Sequence, residues 1–288
     1  MRLNSNGKGT FYDSEMLAGL YNLVFLPDND MVEFLYEGKT MNLNFDFKDI
    51  SKTLKTDSKA NELLNQRTAF IDDLLDRKRI MEEKKLAEPA FDLDKSLVTL
   101  DADFVSFNRK MYASYPTNLA VKFFKAMEDP MIPEQLKGDA ERFYYYRSHY
   151  LDNVDFSAIW TLRMPFFEEK INEYIERLTS QQPDSLIAAW DYIISLSEGN
   201  DEMFKSLFII ELNKYAKNNI MGYDAINFDF IEKYYLTGKA TWADKEQLDK
   251  LKESAWSLEN NLIGRIVSNF DMRMSDQKEI SLHQLKSD

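Results

Sequence analysis

Met41-Asn-Leu-Asn-Phe-Asp-Phe47 and, soon after it, Asp57-Ser-Lys-Ala-Asn-Glu-Leu-Leu-Asn-Gln-Arg-Thr-Ala-Phe-Ile-Asp-Asp-Leu-Leu75 mark the point where the hydrophobic period changes. In the first stretch Met41, Leu43, Phe45 and Phe47 alternate with Asn42, Asn44 and Asp46. That period of two belongs to a strand with one buried and one wet face. In the second, Leu63, Leu64, Phe70, Ile71, Leu74, Leu75 and then Met81 recur mostly at three- and four-residue steps, which is helical. Asp57 or Ser58 supplies the N-cap and Pro89 ends the segment. The expected fold is therefore α+β and predominantly α: an N-terminal antiparallel β segment, a multi-helix domain and a C-terminal hairpin.

Upstream, Leu20–Leu26 and Met31–Tyr36 are apolar runs separated by the turn cluster Pro27-Asp-Asn-Asp30. Thr10–Asp13 offers a further short strand, so three or four strands are expected in one thin sheet that needs a covering layer. Downstream, helical stretches are expected over about 96–113, 117–128, 134–151, 166–179, 184–198, 201–218, 222–236 and 244–261, broken by prolines and glycines. The last four are evenly spaced but share no repeated side-chain consensus, which favours stacked helix pairs over a true repeat. Phe270–Met274 and Lys278–Leu282 then read as two short strands around the turn Ser275-Asp-Gln277.

Composition narrows the chemistry. The 288 residues are 44% hydrophobic, with Phe 20, Tyr 15 and Trp 4, but only Gly 9 and Pro 7. That is a globular, helix-favouring balance. A net charge of −13 opposes phosphate backbones. The basic clusters Asp76-Arg-Lys-Arg79 and Lys84-Lys85 are flanked by Asp72, Asp73, Glu82 and Glu83, a solvated helix face rather than a nucleic-acid footprint. There is no cysteine, which removes a thiol nucleophile, disulfides and every thiolate-ligated metal. No apolar run approaches the roughly 20 residues of a membrane span, and the N-terminal Met1–Gly9 has no apolar h-region.

The most unusual local sequence is Arg142-Phe-Tyr-Tyr-Tyr-Arg-Ser-His-Tyr150. His149 with Asp152 three residues on has the spacing of half a metal site or an acid–base pair. Against that, Phe143, Tyr146, Tyr150 and Leu151 fall on one helical stripe suited to packing, and the only other histidine is His283. Glu168-Glu169 is a carboxylate pair, but adjacent helical residues diverge by about 100°, and acids in a first turn complement the helix dipole. Tyr234-Tyr235 and Trp242 flank Thr237-Gly-Lys239; they line a groove, or they are buried beneath a C-cap glycine. The binding candidates are thus Tyr146, His149, Tyr234 and Trp242, with no catalytic residue, cofactor-binding residue or metal ligand assigned.

Phe143–Phe156, Pro165–Tyr174, Leu212–Lys217, Met221-Gly222 and Glu232–Asp244 resemble a helical domain of unknown function from Gram-negative envelope proteins. In those proteins it follows a small β domain, whose second half resembles Gly19–Phe47, and precedes a thioredoxin-like domain of the AhpC/TSA and TlpA kind. Asn261–Gly264 and Phe270–Leu285 resemble the entry to that domain, although Val267-Ser268 stands where Ala-Pro is common and Asp276-Gln277 where Asp-Gly is common. The resemblance implies a partial β domain over 1–50, the helical domain over 51–261 and the start of a thioredoxin-like domain over 262–288, truncated before Cys-x-x-Cys. It implies a periplasmic or envelope location and a non-catalytic accessory or docking role, with no cofactor. A protein or peptide is the expected partner, without nucleic acid or a membrane span, and the oligomeric state is left open. The alternative is a stand-alone peptide- or glycan-binding helical module; a carboxylate hydrolase ranks third.

Overall fold

The computed structural model describes residues 3–216, 218, 220–259, 262–266, 269–275 and 277–284. The expectations placed on Val267-Ser268, Asp276 and residues 285–288 lie outside the described residues. The chain divides into two compact units, 1–171 and 172–288.

In the first unit, β1 (Gly19–Phe25) and β2 (Asp30–Tyr36) form an antiparallel hairpin, registered from Gly19 against Tyr36 to Phe25 against Asp30. Gly19 is needed for close approach, because a Cβ there would lie 2.6 Å from Arg163 Cβ. The alternating stretch behaves differently from its period. Only Leu43–Asn44 (β3) pairs, with Lys55–Thr56 (β4) after the short helix α1 (Ile50–Thr53). Local side chains redirect the chain: Asp46 accepts from Lys48 N–H at 2.9 Å, Thr53 Oγ1 accepts from Asp46 N–H at 2.8 Å, and Asp49 caps α1. Such bonds compete with a ladder. Phe45 and Phe47 turn onto Phe25 instead, with centroids 5.9 and 4.5 Å away. Among the described residues the strands form three separate two-stranded ladders rather than one thin sheet, and Thr10–Asp13 is not a strand.

Helix α2 (Lys59–Ala87) starts at Ser58, whose side chain accepts from Asn61 N–H. Asn61 is itself buried against β2: its Oδ1 accepts from Leu35 N–H at 2.8 Å and its Nδ2 donates to Leu35 O at 2.7 Å. A side-chain amide thus replaces the next strand of the ladder. α3 (Leu93–Ser114), capped by Asp92, returns along α2 with Phe70 stacked on Phe107 at 4.1 Å and Arg77 bonded to Asp103 at 2.7 Å. α4 (Leu119–Met127) buries its apolar residues up to Ala126, while Met127 at its end is exposed. Glu128 at its end accepts from Tyr112 Oη at 2.6 Å and Asn108 Nδ2 at 3.0 Å, tying it to α3. α5 (Asp139–His149) and a 3-10 turn (Ile159–Arg163) follow, and α6 (Phe166–Glu176) crosses the division between the units.

The second unit is built on α7 (Pro183–Leu196), α8 (Asp201–Tyr215) and α9 (Asp224–Phe230). Pro183 occupies the first turn of α7, where its missing N–H costs nothing. Gly199, at φ 84°, takes the left-handed conformation between α7 and α8, and Asn200 caps α8. Trp190, Leu186, Ile193, Met203, Leu207, Phe208 and Phe230 form the buried centre. The single helix expected over 222–236 is instead α9 followed by a π turn, Ile231–Tyr235. α10 (Lys245–Glu259) buries only Ala255 among its described residues, and β5 (Asp271–Arg273) pairs antiparallel with β6 (Glu279–Ser281) ahead of a 3-10 turn, Leu282–Gln284. No helix of the described residues is long and apolar enough to cross a membrane.

Candidate functional site

The aromatic stretch forms α5, and its environment departs from the expected packed stripe. Tyr150 and Leu151 are buried, but Phe143 is 44% and Tyr144 68% exposed, and α5 itself contains no buried residue. The helix ends at His149, and Tyr150 and Leu151 lie in the turn beyond it, where Asp152 N–H donates to His149 O. The stripe therefore changes direction before its last members. Tyr146 is half-buried against Tyr150 at 5.5 Å. His149 Nδ1 lies 2.6 Å from Asp152 Oδ2, and its ring sits 4.2 Å from Tyr145. The i,i+3 pair anticipated in the sequence does form, on the surface. Glu168 and Glu169 are exposed in the first turn of α6.

Tyr234 and Trp242 converge in the second unit. Both touch Phe204, at 5.7 and 5.2 Å, and Phe208, at 6.2 and 6.1 Å. Tyr234 is buried and donates its hydroxyl to Asp191 Oδ1 at 2.9 Å. Asp191 Oδ2 takes Lys233 Nζ at 2.7 Å, and Lys233 also lies 2.9 Å from Asp229 Oδ2. α7, α9 and the π turn are thereby joined through one ammonium. Burial opposes the Lys233 charge, but its bonds to Asp191 and Asp229 outweigh burial and raise its pKa. Burial pushes the Asp229 carboxyl up despite Lys233, and burial with the Asp191 bond raises the Tyr234 phenol.

Beside this network lies a residue that motif reading passes over. Glu211 on α8 is 0% exposed, and neither carboxylate oxygen has a hydrogen-bond partner among the described residues. Burial first, and then the charge of Asp229, hold its pKa well above the ordinary value. A detectable signal exists: Leu207, Phe208 and Tyr215 bracket Glu211 at three- and four-residue steps, so the acid occupies a core position of an apolar stripe. Asp229 and Lys233 stand four residues apart, the spacing of a helical ion pair, but Asp191 carries no such mark, and only packing brings it to them.

Chemically, the second-unit cluster can hold and exchange a proton, while its ammonium is committed to two carboxylates. Among the described residues no group of three or more His, Asp or Glu side chains is arranged to hold a metal ion.

The profile of a family described as a domain of unknown function, DUF5106, matches residues 98–261. No curated protein matches the chain. A solved structure to which it is similar is that of a thioredoxin-like protein from Bacteroides caccae ATCC 43185, at 18% identity and a TM-score of 0.42. The match covers 57% of this chain and 59% of that one, so the chain spans about three fifths of that protein's length.

Proposed function

The chain belongs to the DUF5106 family, and from that premise we propose that it is a non-catalytic docking module for a protein partner. The partner we assign is the thioredoxin-like domain of a TlpA- or AhpC/TSA-type envelope protein, in the periplasm or cell envelope, with this chain as its accessory region. The observation that carries the docking reading is α5. An eleven-residue helix with Phe143, Tyr144, Tyr145 and Tyr146 in succession buries none of them, and Phe143 and Tyr144 lie 6.0 Å apart at its exposed side. Exposed neighbouring aromatics of this kind are what interaction surfaces use, since they supply large contact area at low conformational-entropy cost. The resemblance supplies the partner's class. The absence of cysteine means that any thiol–disulfide step in such a protein is performed by groups other than those of this chain.

The test is calorimetric titration of a purified TlpA-type thioredoxin-like domain into this chain. Saturable binding is expected, weakened about tenfold or more when Phe143 and Tyr144 are both replaced by Ser, as for interface aromatics. Absence of binding to that domain refutes the assignment, and binding to extended peptides or glycans instead establishes the stand-alone module.

A further inference from the structure

The docking reading makes no use of the buried carboxyl of Glu211. A buried carboxylate that accepts no hydrogen bond from the protein is among the costliest arrangements a fold can hold, and the group protonates instead. Its surroundings make the ionised form worse. The charge of Asp229 on α9 disfavours it, and Tyr215 of its own helix and Tyr234 and Tyr235 of the π turn sense the Glu211 charge in turn. The nearby cation, Lys233, is bound to Asp229 and to Asp191 of α7. On α9, Asp224 Oδ1 and Asn227 Oδ1 are also buried acceptors without a donor among the described residues. The region thus has surplus acceptors, the Lys233 ammonium already neutralises other acids, and Lys239 lies over the ring of Tyr234, 5.4 Å from its centroid.

We propose that folded Glu211 is a neutral acid, so that the packing of α8 on α9 and the π turn is linked to a proton, and ionisation of that one carboxyl loosens it. The sign of the linkage follows. Well below the ordinary carboxyl pKa of 4.5 both folded and unfolded chains hold the proton, and the packing is at full strength. As pH rises through that value the unfolded chain releases the proton while the folded chain keeps it. The Glu211 contribution to the folding equilibrium then weakens about tenfold per pH unit. The loss stops only where the folded group itself ionises. The device is therefore a core within the second unit whose stability falls as pH rises above the ordinary carboxyl range.

The test compares the full chain with Glu211→Gln in thermal melts at closely spaced pH values from 4 to 9, alongside carbon-13 carboxyl NMR of the unmodified chain. Coinciding melting temperatures near pH 4 and a gap that widens in favour of Glu211→Gln as pH rises are expected. The Glu211 carboxyl resonance should stay protonated through the range where surface glutamates titrate. Parallel pH profiles, or a Glu211 resonance titrating with the surface glutamates, overturn the proposal. So does a rise in melting temperature on adding Ca²⁺ or Zn²⁺ that Glu211→Gln abolishes, which assigns the oxygens to a cation. The NMR reading decides the matter even where the variant does not fold.

Discussion

Replacing Asn61 by Ala removes the amide that completes the β1–β2 ladder. Its Oδ1 and Nδ2 serve the N–H and C=O of Leu35, a residue with no exposed surface, and Nδ2 also reaches Ser58 Oγ at 2.9 Å. Each buried backbone group left without a partner costs about 1–3 kcal/mol. Two such groups, less whatever a water admitted to the vacated space recovers, place the loss at about 2–5 kcal/mol. Asn61→Asp is a sharper probe, because it retains the acceptor for Leu35 N–H but sets a carboxylate oxygen against Leu35 O. It should be at least as damaging as Ala at neutral pH and should recover in acid, when the protonated carboxyl again donates. The loss is local to the hairpin, so its readout must resolve segments of the chain. The assay is therefore hydrogen exchange by mass spectrometry on peptides covering 19–36 and 183–215. Asn61→Ala should accelerate exchange in the hairpin while leaving 183–215 unchanged. Unaltered protection of 19–36 in Asn61→Ala means that the hairpin is held by its apolar face alone and refutes the reasoning.

Two further outcomes are expected. Purified chain, freed of contaminating thioredoxin, should show no insulin-reducing activity above background, since that reaction needs a thiolate and the chain has none. Tyr146→Ala should destabilise the first unit by only about 1–2 kcal/mol, below the roughly 3–5 of a fully buried aromatic, because Tyr146 is half-exposed; His149→Ala should cost less and leave melting unchanged by Zn²⁺, and a zinc-dependent rise lost in His149→Ala would contradict this.

Much of the helical architecture was legible in sequence because its determinants lie within a few residues of each other. Ser58 and the apolar steps from Leu63 define α2, Gly199 separates α7 from α8, and Pro183 opens α7. The hairpin β1–β2 was legible for the same reason: two apolar runs and a turn cluster. Met41–Phe47 was not, although its alternation was the cleanest in the chain. Alternation records which side chains are apolar, and is silent about whether Asp46 will bond its own neighbours and turn the backbone. The candidate residues divide in the same way. His149 and Asp152, three positions apart, met as their spacing implied. Tyr234 and Trp242 met through Phe204 and Phe208, which belong to another helix.

By itself the sequence determined the class of fold, most helix limits and the cap of α2, the impossibility of thiol chemistry and the acidic surface, all properties of composition or of neighbours along the chain. Only the tertiary structure decided that α5 leaves Phe143 and Tyr144 exposed and that Asp191 of α7 joins the Asp229–Lys233 pair. It also decided that Glu211 is buried near the charge of Asp229 with no hydrogen-bond partner among the described residues. Burial and charge proximity depend on which helix faces lie against one another. That is set by the summed packing of many apolar side chains distant in sequence, and no local pattern encodes it.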